Sequence, residues 1–418
     1  MQVEIVTIGN EILSGRTMDS NFTTLARLLE EASVKVGWHS TVGDTQERIA
    51  EGLARALDRA DAVIMTGGLG PTPDDMTRKA VASVLGRPLQ LDESVLDAIR
   101  ERGKRLGRKL PATVETMALL PRGAEIWPNS VGAAPGLLMM HREKPVMLLP
   151  GVPSEMEALA NEHLVPYLRE RTGRTIETFT LRTYGAFESQ LHERIGALDD
   201  AWPGASLAYL PSWFGVDLRV TVSGVNPAAV HETSLRAHNE LFARVKNVVY
   251  AEGTTAMDEV LGAILVEKVW RIATAESCTG GLLTKRLTDV PGSSRYVERG
   301  FVTSSTAAKL ELLGVDEATL QGQGAVSAAV AEQMARGAAE RAGVEVGVGI
   351  TGIAGPDGGS DNKPVGLVFV AVYSPLGEVA RMLRLQGSRS TIRERAAQTA
   401  LDLLRRHLLG LPVDPSLD

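Results

Sequence analysis

A glycine-rich turn followed by two acidic residues is the first segment of this sequence that could do chemistry. Residues 66–75 read Thr-Gly-Gly-Leu-Gly-Pro-Thr-Pro-Asp-Asp, after an apolar run typical of a buried strand. Glycines at a strand end let the backbone approach a ligand and point N–H groups at phosphate oxygens. Asp74 and Asp75 supply the hard oxygens that a divalent cation prefers. The alternative is that the glycines only form a turn and the aspartates cap a helix.

Three further polar clusters are expected beside this turn. Gly-Asn-Glu (9–11) and Gly-Asp (43–44) each follow a predicted strand, and Asp-Ser-Asn (19–21) opens a predicted helix. Each cluster by itself is typical of a cap or a turn, and their shared location at one sheet edge is what favours a ligand site. The resulting candidates are, for binding a phosphate-bearing ligand, Gly67, Gly68, Gly70, Thr72, Asn10, Glu11 and Asn21, and, for a divalent metal, Asp44, Asp74 and Asp75.

A second constellation lies at residues 275–281, Ala-Glu-Ser-Cys-Thr-Gly-Gly, after a predicted strand. Ser277 and Cys278 are both potential nucleophiles, and either needs a neighbouring base. Backbone N–H groups near Thr279 and Gly280 could stabilise an oxyanion at the positive end of a helix. Viewed alone, the segment favours a structural interpretation, with Ser277 as a helix cap and Cys278 as a small buried residue.

A third segment, residues 351–360, reads Thr-Gly-Ile-Ala-Gly-Pro-Asp-Gly-Gly-Ser and leads to Lys-Pro-Val-Gly at 363–366. It is too long and too rich in glycine for a simple connector. A loop that cradles a ligand is therefore favoured over a flexible loop, because loops of this kind in compact domains are usually functional.

One basic run raises the possibility of nucleic-acid binding. Its members are Arg100, Arg102, Lys104, Arg105, Arg108 and Lys109. Glu101 interrupts the run, which falls on a predicted helix, so a solvated helix face is the favoured interpretation.

Composition limits the classes of protein that the chain can belong to. Its 418 residues correspond to about two to four domains. A net charge of −7 argues against nucleic acid or an anionic membrane as a partner. The single cysteine, Cys278, excludes an internal disulfide and a cysteine-based zinc cluster. No apolar run reaches 18 residues, and the sequence opens on a predicted strand, so we expect a cytoplasmic protein with no membrane segment.

Three regions with different patterns must position these motifs. Residues 1–170 alternate short apolar runs with amphipathic stretches, which predicts a doubly wound, mostly parallel sheet; the predicted strands are 3–8, 36–42, 62–66 and 146–149, and the predicted helices begin at residues 20 and 46. Residues 171–250 predict a small α+β unit; its strands are 179–184 and 216–224, and its helices 188–197 and 227–244.

Residues 251–255 are predicted to be a linker, and 256–410 a third α/β series. Its predicted elements are strands 271–274, 301–303, 344–350 and 365–373, and helices from 279, at 327–342 and at 391–408. The tail 412–418 is expected to be frayed.

These motifs, in this order and at these distances, resemble the CinA family of competence/damage-inducible proteins. Residues 66–75 and 150–155 are similar to signatures of a molybdopterin-binding (MoaB/MogA-like) domain. Residues 275–281, 298–303, 324–327 and 352–366 resemble the family's nicotinamide mononucleotide deamidase domain. The resemblance implies an α/β protein with a doubly wound molybdopterin-binding-like domain (1–170), a small α+β KH-like domain (171–250) and an αβα deamidase domain (256–410).

The resemblance implies two activities in pyridine-nucleotide recycling. One is hydrolysis of the carboxamide of nicotinamide mononucleotide to nicotinate mononucleotide and ammonia, with no cofactor. The other is hydrolysis of the pyrophosphate of ADP-ribose by the N-terminal domain with a divalent metal ion. It also implies a homodimer. No G-x-x-G loop stands in the KH-like region, so nucleic acid is not an expected partner there. The alternative is a non-catalytic protein of competence or repair that binds nucleic acid or acts as a scaffold.

Residue by residue, the resemblance places the deamidase nucleophile on Ser277 and its base on Lys309, with Thr279 and Gly280 supporting the oxyanion. It places the ribose phosphate near Arg299, Thr351, Gly352 and Lys363. The sequence departs from the family at 304–306, where Ser-Ser-Thr replaces a Tyr-Ser-Asn-like stretch. If that tyrosine orients the pair, turnover here is slower or a serine hydroxyl with water substitutes for it.

Overall fold

The structure is a computed structural model that describes residues 1–105, 107, 111–196, 201–415 and 417. The chain divides into two compact units, Met1–Glu177 with Ser223–His231, and Thr178–Val222 with Glu232–Asp418. Within the described residues, no helix is long and apolar enough to cross a membrane.

The first unit contains eight strands and seven α-helices among its described residues. The strands are β1 (Gln2–Ile8), β2 (Lys35–Val42), β3 (Ala62–Thr66), β4 (Leu89–Leu91), β5 (Leu119–Pro121), β6 (Glu125–Trp127), β7 (Gly136–His141) and β8 (Lys144–Leu149). The helices are α1 (Asn10–Leu13), α2 (Ser20–Glu31), α3 (Gln46–Arg59), α4 (Thr77–Val84), α5 (Glu93–Arg105), α6 (Pro153–Leu159) and α7 (Val165–Thr172), with a 3₁₀ helix at Ala112–Ala118 and a π-helical turn at Ala160–Leu164.

A six-stranded sheet of order β2-β1-β3-β8-β7-β6 forms the centre of this unit. The four strands β2, β1, β3 and β8 run parallel, as the alternation of strands and helices predicts. β7 and β6 run antiparallel, so the sheet is mixed. The reversal comes at a tight turn between β7 and β8, where Arg142 and Glu143 have φ of 48° and 68°.

Helices cover both faces of this sheet because each presents one apolar stripe to it. In α2 the side chains of Leu25, Leu28 and Leu29 are buried on one face, and the Asp19 carboxylate accepts the Phe22 N–H at 2.8 Å and caps the helix. The consequence for function is geometric. The segments that follow β1, β2, β3 and β8 all leave the sheet at its carboxyl edge.

The remaining elements lie wholly or mostly in the second unit. The strands are β9 (Thr175–Thr183), β10 (Ala205–Ser212), β11 (Gly215–Gly224), β12 (Val249–Glu252), β13 (Ile272–Glu276), β14 (Val297–Val302), β15 (Val346–Gly352), β16 (Leu367–Ser374) and β17 (Gly377–Arg384). The helices are α8 (Glu188–Ile195), α9 (Pro227–Val245), α10 (Met257–Lys268), α11 (Leu282–Asp289), α12 (Thr306–Leu313), α13 (Glu317–Gln323), α14 (Ala328–Ala342) and α15 (Arg389–Leu409), with a 3₁₀ helix at Ser293–Arg295.

Two sheets organise these elements. The smaller has the order β10-β11-β9-β12, and the larger has the order β14-β13-β15-β16-β17. In the larger sheet β13 runs parallel to both neighbours, β14 and β15, whereas β16 and β17 are antiparallel. The carboxyl end of β13 therefore lies between the carboxyl ends of β14 and β15, which is where a site in such a sheet is expected.

Three sequence predictions are wrong in this unit. The predicted linker 251–255 overlaps β12, in which Ala251 pairs with Arg182 of β9 to complete the smaller sheet. The helix predicted from Thr279 begins instead at Leu282, because Gly280 and Gly281 have φ of 62° and 90°, outside the helical region.

The third correction concerns the tail, which is anchored rather than frayed as far as residue 415. The Arg406 guanidinium donates to the Pro412 carbonyl at 3.2 Å, and Asp414 pairs with Arg381 at 3.1 Å. Long-range contacts of this kind cannot be read from a short polar tail. Ser416 and Asp418 lie outside the described residues.

Helix α15 joins the two sheets of the second unit. Tyr184 Oη and Thr399 Oγ1 are 2.6 Å apart, Gln398 donates to the Phe214 carbonyl at 3.2 Å, and Arg406 donates to the Asn247 carbonyl at 3.0 Å.

A buried charge cluster stiffens the same helix. Asp402 is fully buried and accepts hydrogen bonds from Arg405 at 2.7 Å and from Arg406 at 2.8 Å.

Replacing Asp402 should therefore destabilise the second unit strongly. We expect Asp402→Asn to lower the free energy of unfolding by about 3–5 kcal/mol, because two buried guanidinium groups lose their counter-charge. The matched control is Asp289→Asn, which breaks an exposed pair with Lys285 and should cost about 0.5 kcal/mol or less. Urea denaturation of both variants measures the difference, and equal losses would contradict the structural role of the cluster.

Candidate active sites

The first candidate site lies at the carboxyl edge of the six-stranded sheet, where β3 opens into the glycine turn. The Gly67 N–H donates to the Leu149 carbonyl at 3.1 Å, so the turn stays against β8. Gly67 has φ of 112°, and a Cβ there would lie 2.4 Å from the Ile8 carbonyl oxygen. The turn thus passes between the ends of β1 and β8 with no room for a side chain.

Asp75 closes the turn rather than pointing freely into solvent. Its carboxylate accepts hydrogen bonds from the Thr72 N–H at 2.8 Å and the Thr72 hydroxyl at 2.6 Å. A Cβ on Gly70 would lie 2.6 Å from the same carboxylate, so the chain folds closely around it. Asp74 is exposed beside it. The structure brings Thr72, Gly70 and Asp75 together, and their roles in binding remain predictions.

Arg78 is a residue of this site that the sequence analysis missed. It is only 6% exposed, its guanidinium donates to the Leu69 and Gly70 carbonyls, and burial lowers its pKa against the opposing effect of Asp75. These bonds fix the glycine turn from behind. The available signal was a charged residue on an otherwise apolar helix face, at the second position of α4.

Asn21 bridges the ends of two strands. Its amide donates to Thr66 Oγ1 at 3.0 Å and to the Gly151 carbonyl at 2.9 Å. The residue is 7% exposed, and its Oδ1 is buried without a hydrogen-bond partner among the described residues. A buried acceptor without a donor is costly, so a ligand N–H or hydroxyl at this edge would be favourable.

The acidic residues of this edge act on one another. Burial first, and then the charges of Glu11, Asp74 and Asp75, raise the pKa of Asp44. Asp44 also accepts the Asn10 N–H at 3.1 Å, which ties the loops after β1 and β2 together. A divalent cation would relieve this repulsion. Among the described residues no group of three or more His, Cys, Asp or Glu is gathered closely enough to hold a metal by itself.

That finding fits a cation shared with phosphate better than a cation held by protein alone, because magnesium in phosphate-using sites often takes only one or two carboxylates. A cavity of about 590 Å³ lies beside the turn. Gly68, Gly70 and Asp75 line one side, and Ile99, Val114 and Met117 line the apolar side. A ligand with a charged part and an apolar part matches such walls.

The second candidate site lies at the carboxyl end of β13. Ser277 directly follows this fully buried strand, and its N–H donates to the Ile350 carbonyl at the end of β15 at 2.9 Å. On the other side, the Thr303 N–H donates to the Glu276 carbonyl at 2.8 Å. The backbone at Ser277 is therefore held between both neighbouring strand ends.

Lys309 meets Ser277 here, as the resemblance implies. Lys309 lies in α12, which Ser305 caps by accepting the Ala308 N–H at 3.1 Å. The lysine is 1% exposed, and its Nζ lies 3.2 Å from Ser277 Oγ, 2.7 Å from the Thr303 carbonyl and 3.2 Å from the Ser304 carbonyl. Burial lowers the pKa of Lys309. A lysine with a lowered pKa beside a serine is the arrangement of a nucleophile and its base.

Cys278 is half-buried and differs from Ser277 in its ionisation. Burial raises the pKa of its thiol to about 11, which opposes formation of the thiolate. The geometry therefore favours Ser277 over Cys278 as a nucleophile.

The turn after Cys278 is held from below. Arg393 of α15 donates twice to the Thr279 carbonyl, at 2.6 and 3.2 Å. Thr279 itself is fully buried, and its hydroxyl has no hydrogen-bond partner within the described part of the chain. The Gly280 N–H donates to the Ser277 carbonyl at 3.2 Å, so in this conformation it closes the turn. The proposed support of an oxyanion by Thr279 and Gly280 remains a prediction. Sequence reasoning missed Arg393 because it lies 114 residues from its partner.

The third sequence motif approaches the same sheet edge. Thr351 and Gly352 end β15, and the Thr351 hydroxyl donates to the Ala325 carbonyl at 2.7 Å. The Lys363 ammonium donates to the Gln323 carbonyl at 2.6 Å and the Val326 carbonyl at 2.8 Å, which ties the long loop to the start of α14. Arg389 holds the Gly355 carbonyl at 2.7 Å. The positively charged side chains of Lys363 and Arg389 thus anchor the loop at two points.

Arg299 is not brought to this edge. It pairs in register with Ala273, the second residue of β13, and it donates to the Arg341 carbonyl at the end of α14. That helix end precedes β15 and lies at the amino edge of the sheet, opposite to Ser277. The structure therefore does not bring Arg299 close to Ser277, and its role in holding a substrate phosphate remains a prediction.

Two of the four described members of the basic run on α5 form ion pairs, and a third donates to a backbone carbonyl. Arg100 pairs with Glu115 at 2.8 Å, Lys104 pairs with Glu101 at 3.6 Å, and Arg102 donates to the Ser130 carbonyl at 3.5 Å. Arg108 and Lys109 lie outside the described residues. These intramolecular contacts favour a solvated helix face over a nucleic-acid-binding surface.

Comparison with known proteins agrees with this architecture. Residues 4–170 match the family described as "Probable molybdopterin binding domain", residues 178–251 match "Damage-inducible protein CinA KH domain", and residues 254–408 match "CinA C-terminal domain". These three matches, together with the mixed α/β sheets, define a three-domain α/β protein. The order of the three matches agrees with the predicted order of domains, and the exact boundaries remain predictions.

Full-length relatives carry the assignment further. A protein of Acetivibrio thermocellus named for competence-damage induction is 41% identical over 415 residues, covering 98% of this chain and all (100%) of the relative. A CinA-like protein of Gemmatimonas aurantiaca is 43% identical over 414 residues, covering 97% and 96%. The crystal structure of a competence/damage inducible protein from Agrobacterium tumefaciens is 42% identical and covers 37% of this chain and 96% of that one, with a TM-score of 0.35. The chain belongs to the CinA family.

The ionisation of Cys278 gives a direct test of the second site. Because burial raises the pKa of the thiol, the thiolate should be scarce at neutral pH. We expect alkylation by iodoacetamide to speed up about tenfold per pH unit with no plateau below about pH 10, whereas a free thiol levels off near its own pKa of about 8.5. Cys278 is the single cysteine of the chain, so mass spectrometry of the whole protein follows it alone. A plateau near neutral pH would reopen Cys278 as a nucleophile.

Proposed function

We propose that the second unit hydrolyses the carboxamide of nicotinamide mononucleotide to nicotinate mononucleotide and ammonia, with Ser277 as nucleophile and Lys309 as base. The observation that carries the proposal is the set of three partners around Lys309 Nζ, namely Ser277 Oγ and the carbonyls of Thr303 and Ser304. Family membership supports the same assignment.

The valence of a neutral amine matches these three partners. A neutral lysine has two N–H donors and one lone pair, and the two carbonyls accept both donors. The lone pair then faces Ser277 Oγ and can take its proton. After that transfer the ammonium has three donors for the same three partners. Both protonation states are accommodated without movement, which suits a group that gives and takes a proton in each cycle.

The proposed reaction follows in two stages. Ser277 Oγ attacks the carboxamide carbon while Lys309 takes the serine proton, which forms a tetrahedral oxyanion. The C–N bond breaks as Lys309 returns the proton to the departing nitrogen, so that ammonia leaves and a nicotinoyl ester remains on Ser277. A water molecule then attacks this ester with Lys309 again as base, and the acid product and free serine form.

Alanine at either position should abolish this reaction. We expect Ser277→Ala and Lys309→Ala each to reduce ammonia release from nicotinamide mononucleotide by roughly a thousandfold or more, since the two groups act as a unit. Cys278→Ser is the matched control one residue away and should retain activity. Full activity in either alanine variant would refute the pair, and loss in Cys278→Ser alone would transfer the role to the thiol.

The pH dependence of the wild-type rate tests whether the pKa of Lys309 is lowered. Lys309 must be neutral to accept a proton, so the rate should rise with pH as the ammonium is lost. Because burial lowers the pKa of Lys309 below its usual 10.5, the rise should be complete at a lower pH than for an ordinary lysine. A rate that still climbs steeply above pH 10.5 would contradict the proposed base.

For the first unit we propose hydrolysis of the pyrophosphate of ADP-ribose. The support is the glycine turn beside an apolar-walled cavity together with the group of Asp44, Asp74 and Asp75, whose charges act on one another. In this proposal the turn binds phosphate oxygens through its N–H groups and Asn21 Oδ1 accepts from the ligand. One or two of these aspartates would hold a divalent cation together with the phosphate oxygens, and on binding the cation would neutralise phosphate charge and polarise the bond to be cleaved.

Loss of the Asp75 carboxylate should affect this activity alone. We expect Asp75→Asn to lower metal-dependent release of AMP from ADP-ribose by about tenfold or more, with ammonia release from nicotinamide mononucleotide unchanged. The matched control is Asp92→Asn, since Asp92 also accepts a backbone N–H, from Val95 at 3.1 Å, but caps α5. An unchanged rate in Asp75→Asn would show that the carboxylate only closes the turn.

A further inference from the structure

A closed ring of hydrogen bonds sets the geometry of the Ser277–Lys309 pair. The Glu276 carbonyl accepts the Thr303 N–H at 2.8 Å, and the Thr303 carbonyl accepts from Lys309 Nζ at 2.7 Å. Lys309 Nζ lies 3.2 Å from Ser277 Oγ, and the peptide bond from Ser277 to Glu276 completes the ring. The position of Glu276 therefore enters directly into the distance between nucleophile and base.

The ring passes through the backbone carbonyl of Glu276, and the role of the Glu276 side chain needs a separate explanation. It is fully buried, and a buried carboxylate is costly unless it is well paired. Its oxygens accept the Leu283 N–H at 3.0 Å, the Thr284 N–H at 2.8 Å and the Thr284 hydroxyl at 2.7 Å. These donors form the first turn of α11, where unpaired N–H groups and the helix dipole stabilise a negative charge.

The hydrogen bonds of the Glu276 carboxylate join the two ends of the turn that carries Ser277. Residues 277–281 leave β13 at Glu276 and enter α11 at Leu282. Because the Glu276 carboxylate binds Leu283 and Thr284, a single side chain spans the turn from its first end to its last. Gly280 and Gly281, with φ of 62° and 90°, add little restraint of their own. Arg393 holds the middle of the turn at the Thr279 carbonyl, and the Glu276 side chain restrains its two ends.

We infer that Glu276 is a positioning residue whose carboxylate, by capping α11, holds the turn that carries Ser277 against Lys309. The inference rests on the proposed function only in naming this serine–lysine pair as reactive. It assigns Glu276 no contact with substrate. Loosening the cap should leave the fold in place and lower the reactivity of Ser277.

The test measures this reactivity without the nucleotide substrate. A fluorophosphonate probe forms a bond between Ser277 Oγ and phosphorus, fluoride leaves, and Lys309 takes the serine proton. Mass spectrometry of the full chain gives the labelling rate at Ser277. We expect Glu276→Gln, which keeps the shape and removes the charge, to label about tenfold more slowly than wild type or worse, since small displacements of reacting groups are costly. Thr284→Val, which removes one of the three bonds together with the 2.5 Å contact to Thr274 Oγ1, should slow labelling less, in the same direction.

The matched control separates positioning from loss of stability. Tyr296→Phe removes a buried bond from the Tyr296 hydroxyl to the Leu287 carbonyl at 3.0 Å, at the opposite end of α11. It should lower the melting temperature and leave the labelling rate near that of wild type. Glu276→Gln labelling as fast as Tyr296→Phe would overturn the inference. If Glu276→Gln does not fold, equal rates in Thr284→Val and Tyr296→Phe would overturn it instead.

The outcomes also separate this inference from the proposed function. If wild-type Ser277 is labelled but no ammonia is released from nicotinamide mononucleotide, the proposed substrate fails and the labelling rates still decide the role of Glu276. If wild-type Ser277 is not labelled, there is no reactive pair to position, and the inference fails.

Discussion

The burial of one lysine is the constraint on which the second unit depends. Lys309 is 1% exposed, so its ammonium form must be compensated by protein groups. The carbonyls of Thr303 and Ser304 provide that compensation. With these two positions occupied, the third hydrogen-bonding position of Nζ faces Ser277 Oγ. In the proposed mechanism, the contacts that satisfy the buried amine are also the ones that activate the serine.

The two units solve a similar positioning problem with different means. In each, a buried strand ends in a glycine-containing turn at the carboxyl edge of a sheet with parallel strands, and an arginine from a helix holds carbonyls of that turn. Arg78 does this behind the first turn, and Arg393 does it beneath the second. Glycine turns have little conformational restraint of their own, so cations bound to their carbonyl oxygens replace it. In the first unit acidic side chains face the edge, whereas in the second a serine and a lysine do.

Much of the fold was predictable because the pattern of apolar residues is local. The strand at Ala62–Thr66 has the predicted bounds, and α9 differs from its prediction by a single residue, Val245. The errors share a physical cause. The antiparallel direction of β7, the pairing of Ala251 with Arg182, and the anchoring of Pro412 all depend on contacts between distant segments. The pattern of residues within one segment carries no information about contacts with a distant segment.

The sequence by itself determined the kinds of residue at each site and their order along the chain. Glycine turns after apolar runs, the Asp74–Asp75 pair and the Ser277–Lys309 pair could all be named from it, the last through resemblance to a family. Only the tertiary structure decided which of these residues meet. It placed Lys309 within 3.2 Å of Ser277, left Arg299 at the opposite edge of the sheet, and added Arg78, Arg393 and Glu276. The reason is that pKa values and hydrogen bonds depend on burial and distance in three dimensions, which residue spacing along a chain does not specify.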